Sequence, residues 1–202
     1  MNSEQSKKTE AEFLGKIFAG DDSAFHSLFA IYNKKLVIFA YKMLGEREAA
    51  RDLAQEVWIR LIDQRRTKER VVIENAGAYL FRIARNLCID KIRSAKQHLP
   101  IEELSEKEHP YSLLGEPSAL EEMVIAALDR LPFEDREILV MHSYLGYAYD
   151  EIAQMQSKSP EAVWTRASRA RSKLREMIRS DAKREGIEIS GEKMKINRGE
   201  RI

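Results

Sequence analysis

Arginines at positions 166, 169, 171 and 175, set among serines and a threonine, are the side chains of this 202-residue chain best suited to recognition chemistry. A guanidinium carries forked donors that match phosphate oxygens and guanine edges, so such a row points to binding rather than to bond making. The local signals place these residues on a helix. Ser159 offers a capping hydroxyl, Pro160 suits the first helical position, and Glu161 favours the first turn. Val163, Ala167, Ala170, Leu174 and Ile178 recur at three- and four-residue steps and form one buried face. At 100° per residue the opposite face holds Glu161, Thr165, Ser168, Arg169 and Ser172, with Arg166 and Lys173 on one flank and Trp164, Arg171 and Arg175 on the other. Between Val163 and Arg184 there are eight Lys/Arg and two Asp/Glu, a local charge of +6.

A cationic helix alone is equally compatible with a solvated bundle face. The preceding pattern separates the two readings. Gly146 is a natural stop for one helix, Asp150-Glu151-Ile152-Ala153 opens another, and the polar turn Gln156 to Ser159 leads into the basic helix. Two helices joined by so short a turn, the second basic, make a helix-turn-helix, whose second helix fits the DNA major groove.

The elements that must carry this motif are helical. Alternating strand patterns are hard to find, glycine and proline are scarce, and the longest apolar runs are far too short to span a membrane. The fold class expected is all-α: two small helical domains joined by an acidic flexible linker, the C-terminal one containing the helix-turn-helix. The expected boundaries are 1–97 for the first domain, 98–117 for the linker, 118–180 for the second domain and 181–202 for a mobile tail. Net charge is +1 but unevenly spread: +4 over residues 1–94, −5 over 95–130 and +2 over 131–202. Local charge governs polyelectrolyte binding, so two mildly basic blocks flank an acidic middle. Cys88 is the one cysteine and reads as a small apolar filler. The four histidines lack metal-ligand spacing, so no metal or cofactor is expected. The polar N-terminus is no secretory signal, and the expected location is cytoplasmic.

In the N-terminal half, Asp21-Asp22-Ser23 caps a long helix with the apolar stripe Phe25, Phe29, Tyr32, Leu36, Phe39, Ala40 and Met43, ended by Gly45. A second helix, roughly 48–63, has the core face Ala49, Ala50, Leu53, Val57 and Leu61. Asp52, Gln55, Ile59 and Ile62 turn away from that face, with Glu56 and Arg60 at its margin. Branched apolar groups among carboxylates suit a partner surface; packing of Ile59 or Ile62 on a neighbouring helix is the other reading. Asn75 is placed to cap a third helix to about Gln97, packed through Tyr79, Leu80, Ile83 and Leu87. Arg82, Arg85, Asn86, Arg93 and Lys96 share another side, a stripe suited to phosphates and base edges. Phe81 lies near the stripe, placed either to pack internally or to stack. The basic stretch Arg65 to Arg70 suits a single strand of nucleic acid. Ser118 to Glu121 fits a capping box for the leading helix of the second domain.

These segments, taken in order, resemble bacterial sigma factors of the extracytoplasmic-function group. The resemblance runs from Ala24 to Arg175 and rests on AFHSLFAIYNKKLVIFAYKMLG, ARDLAQEVWIRL, AYLFRIARNLCIDKIR, ALDRLPFEDREILVMHSYLGYAYDEIA and VWTRASRARSKLR. It implies a non-catalytic subunit that binds core RNA polymerase, recognises the minus-thirty-five and minus-ten promoter elements and promotes strand opening. On that resemblance Asp52, Gln55, Glu56 and Ile59 meet the polymerase clamp helices. Arg82, Arg85, Asn86 and Arg93 engage the minus-ten element. The loop 63–77 captures an unstacked base of the non-template strand, at a flipping cost of a few kcal/mol. Glu161, Trp164, Thr165, Arg166 and Arg169 read the minus-thirty-five duplex, and the acidic linker threads a positively charged channel of the polymerase. An anti-sigma factor is the further partner implied; membrane insertion is not. The chain departs from the family pattern in three places: Ala148 stands where Ser or Thr caps a helix, Gln156-Ser157-Lys158 replaces an apolar-Gly-apolar turn, and Trp164 takes the place of a basic residue. The competing readings are a dimeric duplex-binding regulator, which leaves the N-terminal basic helix unexplained, and an enzyme, for which no nucleophile–base pair or phosphate-cradling glycine loop is present.

Overall fold

Helix signals dominate the sequence, and in the computed structural model every regular element among the described residues, 12–64, 75–98 and 119–187, is α-helical. The chain divides into two compact units, 1–108 and 109–202. No described helix is long and apolar enough to cross a membrane. The stretch Arg65 to Arg70, the Ser118 to Glu121 capping box, the acidic linker and the residues after Ile187 lie outside what is described.

Unit 1 contains α1 (12–19), α2 (Asp22–Leu44), α3 (Arg47–Gln64) and α4 (Ala76–His98). The α1 helix was not anticipated from the polar N-terminus, yet it buries Leu14 and Ile17. Asp21 caps α2, its carboxylate accepting from the amides of Ser23 and Ala24, and Gly45 ends it at φ 82°, in the left-handed region that glycine adopts without a Cβ penalty. The buried stripe of α2 differs from the expected one at its start. Ala24 and Leu28 are in the core, while Phe25 and Phe29 lie at its edge, where their rings pack on Trp58 of α3. Trp58 makes the difference: its indole fills the gap between α2 and α3 and donates to Asn33 Oδ1 at 3.0 Å. On α3, Ala54 and Trp58 join the expected core positions, and Ala49 is only half-buried. The side chain of Asn75 caps α4 by accepting from Ala78 N at 2.8 Å. Leu80, Phe81, Ala84, Leu87 and Cys88 are buried; Tyr79 and Ile83 are half-buried. Phe81 packs internally, 2% exposed, edge-on to Phe39 and Tyr32. A Cβ on Gly77 would stand 2.7 Å from the Tyr32 hydroxyl, so the absence of a side chain there lets α4 approach α2.

Unit 2 contains α5 (Ala119–Asp129), α6 (Phe133–Ser143), α7 (Tyr149–Gln156) and α8 (Pro160–Glu185). Ala127, Leu128, Leu131, Leu139, Ala170, Leu174 and Ile178 form one buried cluster joining α5, α6 and α8. Helix α8 continues past residue 180, where a tail was expected to begin. Asp181 and Ala182 are buried, Asp181 pairs with Arg130 and with Arg184, and Gly186 caps the helix at φ 69°. The ion pair to Arg130, contributed from 51 residues earlier, holds the last turns against the end of α5.

Candidate nucleic-acid and partner interface

In unit 2 the turn into α8 has the geometry expected of a helix-turn-helix. Helix α6 ends at Ser143, Gly146 turns the chain at φ 74°, and Tyr147 N donates to Met141 O at 3.1 Å. Ala148 has no capping side chain, but its N–H donates to the Glu151 carboxylate at 2.9 Å, so half of a capping box survives without the hydroxyl. Between α7 and α8, Ser157 takes the left-handed conformation (φ 53°, ψ 46°) in which the family pattern has glycine. It is the one non-glycine residue at positive φ among the described residues. The turn therefore keeps its shape at some backbone cost. Ser159 Oγ then accepts from Ala162 N at 3.2 Å and starts α8.

Val163, Ala167, Ala170, Leu174 and Ile178 are all buried, so the outward face of α8 is the one anticipated. Glu161, Thr165, Arg169 and Ser172 are exposed, Ser168 is half-buried, and Trp164 stands 57% exposed. Among the described residues Arg169 makes no hydrogen bond or ion pair, so its five donors face solvent. Arg166 is different. Its Nε donates to Asp135 Oδ1 at 2.8 Å and its Nη2 to Glu134 Oε2 at 2.8 Å, both on the first turn of α6. Lys173 Nζ donates to Asp135 Oδ2 at 3.1 Å. Burial by itself pushes the Asp135 carboxyl up; the hydrogen bonds from Arg166 and Lys173, with their charges, outweigh it and hold the group below its ordinary value. On the other flank Arg171 donates to the Tyr149 hydroxyl, and the Tyr149 ring stacks on His142 at 4.2 Å. His142 Nδ1 lies 2.9 Å from Tyr147 O, so it carries the proton of that hydrogen bond. Neither Asp135 nor the Tyr149–His142 stack stood out in the sequence. The only local sign of Asp135's place was a pair of acids at the start of α6, which helix-end electrostatics alone would also favour.

In unit 1 the structure puts Asp52, Gln55, Ile59 and Ile62 together on the exposed side of α3, with Ile59 51% exposed. The alternative, packing on a neighbour, is not what α3 does at these positions. Glu56 is half-buried and accepts from Arg60 Nε at 2.9 Å, an exposed (i, i+4) pair of small energetic weight. On α4, Arg82, Asn86 and Arg93 are exposed and Arg85 is half-buried. The Arg82 guanidinium sits over the Tyr79 ring, 5.4 Å from its centroid. Lys96 lies in the part of α4 whose side chains are not described. The structure thus brings the α3 residues onto one helix face, the α4 residues onto another and the α8 residues onto a third. Among the described residues no group of three His, Cys, Asp or Glu is arranged to hold a metal ion.

Comparison with known proteins gives a consistent result. The family model for sigma-70 region 2 matches residues 28–98, and that for sigma-70 region 4 matches residues 121–174. The ECF RNA polymerase sigma factor EcfG of Rhodopseudomonas palustris is 31% identical over 144 residues, covering 71% of this chain and 78% of EcfG. Among solved structures, CnrH in complex with the cytosolic domain of CnrY is similar at a TM-score of 0.65 and 21% identity, over 86% of this chain and 99% of that one. The sigma factor RpoE of Bartonella quintana, solved with the anti-sigma factor NepR, is similar at a TM-score of 0.58 and 23% identity, over 78% of this chain and 98% of that one. At such identities the two structures speak for the fold.

Proposed function

Since this chain belongs to the extracytoplasmic-function sigma factors and is a promoter-recognising transcription initiation factor, we propose that its helix faces divide the work of initiation. The outward face of α3, with Asp52, Gln55, Glu56 and Ile59, docks on core RNA polymerase. Burial of a branched apolar side chain such as Ile59 is worth roughly 1.5–3 kcal/mol, and the flanking carboxylates set the orientation. The stripe Arg82, Arg85, Asn86 and Arg93 on α4 binds the minus-ten element, and the segment before it holds the opened non-template strand. Glu161, Trp164, Thr165 and Arg169 on α8 read the minus-thirty-five duplex, each bidentate arginine–guanine contact being worth about 1–3 kcal/mol of discrimination. Residues 1–97 and 118–180 serve as the two functional domains, the acidic residues between them entering the polymerase channel. The protein acts in the cytoplasm, makes no bonds itself and leaves catalysis to the polymerase. An anti-sigma factor, the kind of partner that accompanies RpoE of Bartonella quintana in its solved complex, is its natural antagonist.

The observation that carries this reading is the outward face of α8: Arg169 is unpaired among the described residues and Thr165 and Glu161 stand beside it, on a helix fixed by five buried positions. Run-off transcription with purified core polymerase and a promoter library tests it. Discrete transcripts that depend on this chain and share two spaced elements are expected. Duplex binding without any gain in initiation would overturn the reading in favour of a dimeric regulator.

A further inference from the structure

Helix α8 carries more positive charge than it presents. A helix about 10–12 Å across nearly fills a major groove about 12 Å wide, so cations on either flank come within reach of a phosphate strand. Arg166 and Lys173 occupy one flank, one α-helical repeat of seven residues apart, and both are already engaged. Asp135, 5% exposed, offers Oδ1 to Arg166 Nε at 2.8 Å and Oδ2 to Lys173 Nζ at 3.1 Å. Glu134 takes the neighbouring Nη2 of the Arg166 guanidinium at 2.8 Å. A carboxylate with both oxygens committed to the same helix face offsets the charge of those two cations and tethers them beside α6, in competition with phosphate, and it ties α8 to α6 at two points along its length. Lys173 is exposed, as Arg169 and Arg175 are; what separates it from Arg169 is its bond to Asp135, since Arg169 makes no hydrogen bond or ion pair among the described residues.

We propose that Asp135 is a positioning residue that limits sequence-independent DNA binding: by clasping Arg166 and Lys173 against α6 it keeps the two flank cations off the phosphates and leaves recognition to the outward face of α8. The inference rests on the reading of α8 as the duplex-binding helix. It removes Arg166 from the base-reading set implied by the family resemblance and gives it a structural partner instead. Phosphate contacts supply affinity for any sequence, and base contacts supply discrimination. A sigma factor that withholds cations therefore spends less time on unrelated DNA.

The test uses the full chain assembled with core polymerase, with core alone as the baseline. Binding is measured from low to high potassium chloride, on a duplex bearing the minus-thirty-five element and on one with that element scrambled. Asp135→Asn keeps the shape and removes the charge. Each cation released to phosphate adds about 0.9 to the log–log salt slope; Lys173 loses its carboxylate while Arg166 keeps Glu134, so the slope should steepen by about 1, and by about 2 when Glu134→Gln is added. The double change corresponds to a roughly tenfold larger change in affinity between 50 and 200 mM salt, with the gain at low salt also seen on the scrambled duplex. An unchanged slope in a variant of unchanged helix content would overturn the proposal. Lys173→Gln, a surface change that leaves the Arg166 pairs in place, covers the case in which Asp135→Asn fails to fold. Its slope should match wild type, whereas Arg169→Gln should flatten the slope by about 1. If Lys173→Gln flattened it as much as Arg169→Gln does, Lys173 would already be on phosphate and the clasp would be wrong. If Arg169→Gln changed nothing on either duplex, the reading of α8 itself would fall, and the inference with it.

Discussion

Unit 1 and unit 2 both pack a long helix, α4 or α8, on their other helices, but they hold it by different means. In unit 1, α4 is fixed by rings: Phe81 meets Phe39 and Tyr32 edge-on, and Trp58 bridges α2 and α3 against Phe25 and Phe29. In unit 2, an aliphatic cluster is supplemented by carboxylates that reach across helices, Asp135 to Arg166 and Lys173, and Asp181 to Arg130. The difference follows from what each long helix must present. A helix loaded with arginine has cations beside its buried stripe, and a partly buried cation needs an anionic partner or must face water. The α8 helix is thus met by acids on the first turn of α6, whereas the buried side of α4 packs through Leu80, Phe81, Ala84, Leu87 and Cys88. The two units should accordingly answer differently to loss of a ring, loss of a carboxylate, acid and salt.

The largest effect is expected from Phe39→Ala. Removing a fully buried ring that packs on Phe81 should cost unit 1 about 3–5 kcal/mol. Urea unfolding followed by the fluorescence of buried Trp58, in a Trp164→Phe background, measures it. The loss should be the same at low and high salt, since no charge is removed; a strongly salt-dependent loss would break the contrast.

Asp135→Asn should come next, at about 1–2 kcal/mol at pH 7, read by hydrogen exchange at the amides of α6 and α8. Its pH dependence has a definite sign. The folded pKa of Asp135 lies below its ordinary value, so its contribution is fully present above the unfolded pKa of about 3.9 and is lost as pH falls through the folded value. The gap between wild type and Asp135→Asn should therefore close as pH drops below about 4. A gap that stayed constant into acid would show that the carboxylate's charge is not what holds α8.

Smallest, and of opposite sign, is Ser157→Gly. A non-glycine residue in the left-handed region costs about 1–2 kcal/mol, and the added flexibility of glycine in the unfolded chain takes back part of that. A net gain of about 0.5–1 kcal/mol in unit 2 stability is expected, with promoter choice unchanged. A loss would mean that the Ser157 side chain contributes more than its backbone conformation costs.

How far these features could be read in advance depended on their range in sequence. The buried stripe of α8, the caps at Asp21, Asn75 and Ser159 and the stop at Gly45 are local: each depends on residues within a turn or two, and each stands where the sequence places it. Misreadings arose where a distant partner decides. Phe25 and Phe29 look like core positions by spacing, but Trp58 draws them to the edge. Polar residues after Ser180 look like a tail, but Arg130 holds Asp181 and the helix runs on. The ion pairs of Arg166 could not be read either, because its carboxylate partners lie 31 and 32 residues earlier. Ile59 and Ile62 could not be assigned by periodicity, because an exposed apolar face and one packed on a neighbour have the same pattern.

The central claim, that separate faces of this chain hold the polymerase and read the duplex, is tested most directly by titrating Ile59→Asp and Arg169→Ala against core polymerase in run-off transcription from a selected promoter. Ile59→Asp should raise the concentration of chain needed for half-maximal transcription at least about tenfold, equivalent to roughly 1.4 kcal/mol, and keep the plateau. Arg169→Ala should leave that concentration unchanged and lower transcription at limiting promoter. If both variants shifted the same quantity, or neither shifted any, the division between α3 and α8 would be contradicted.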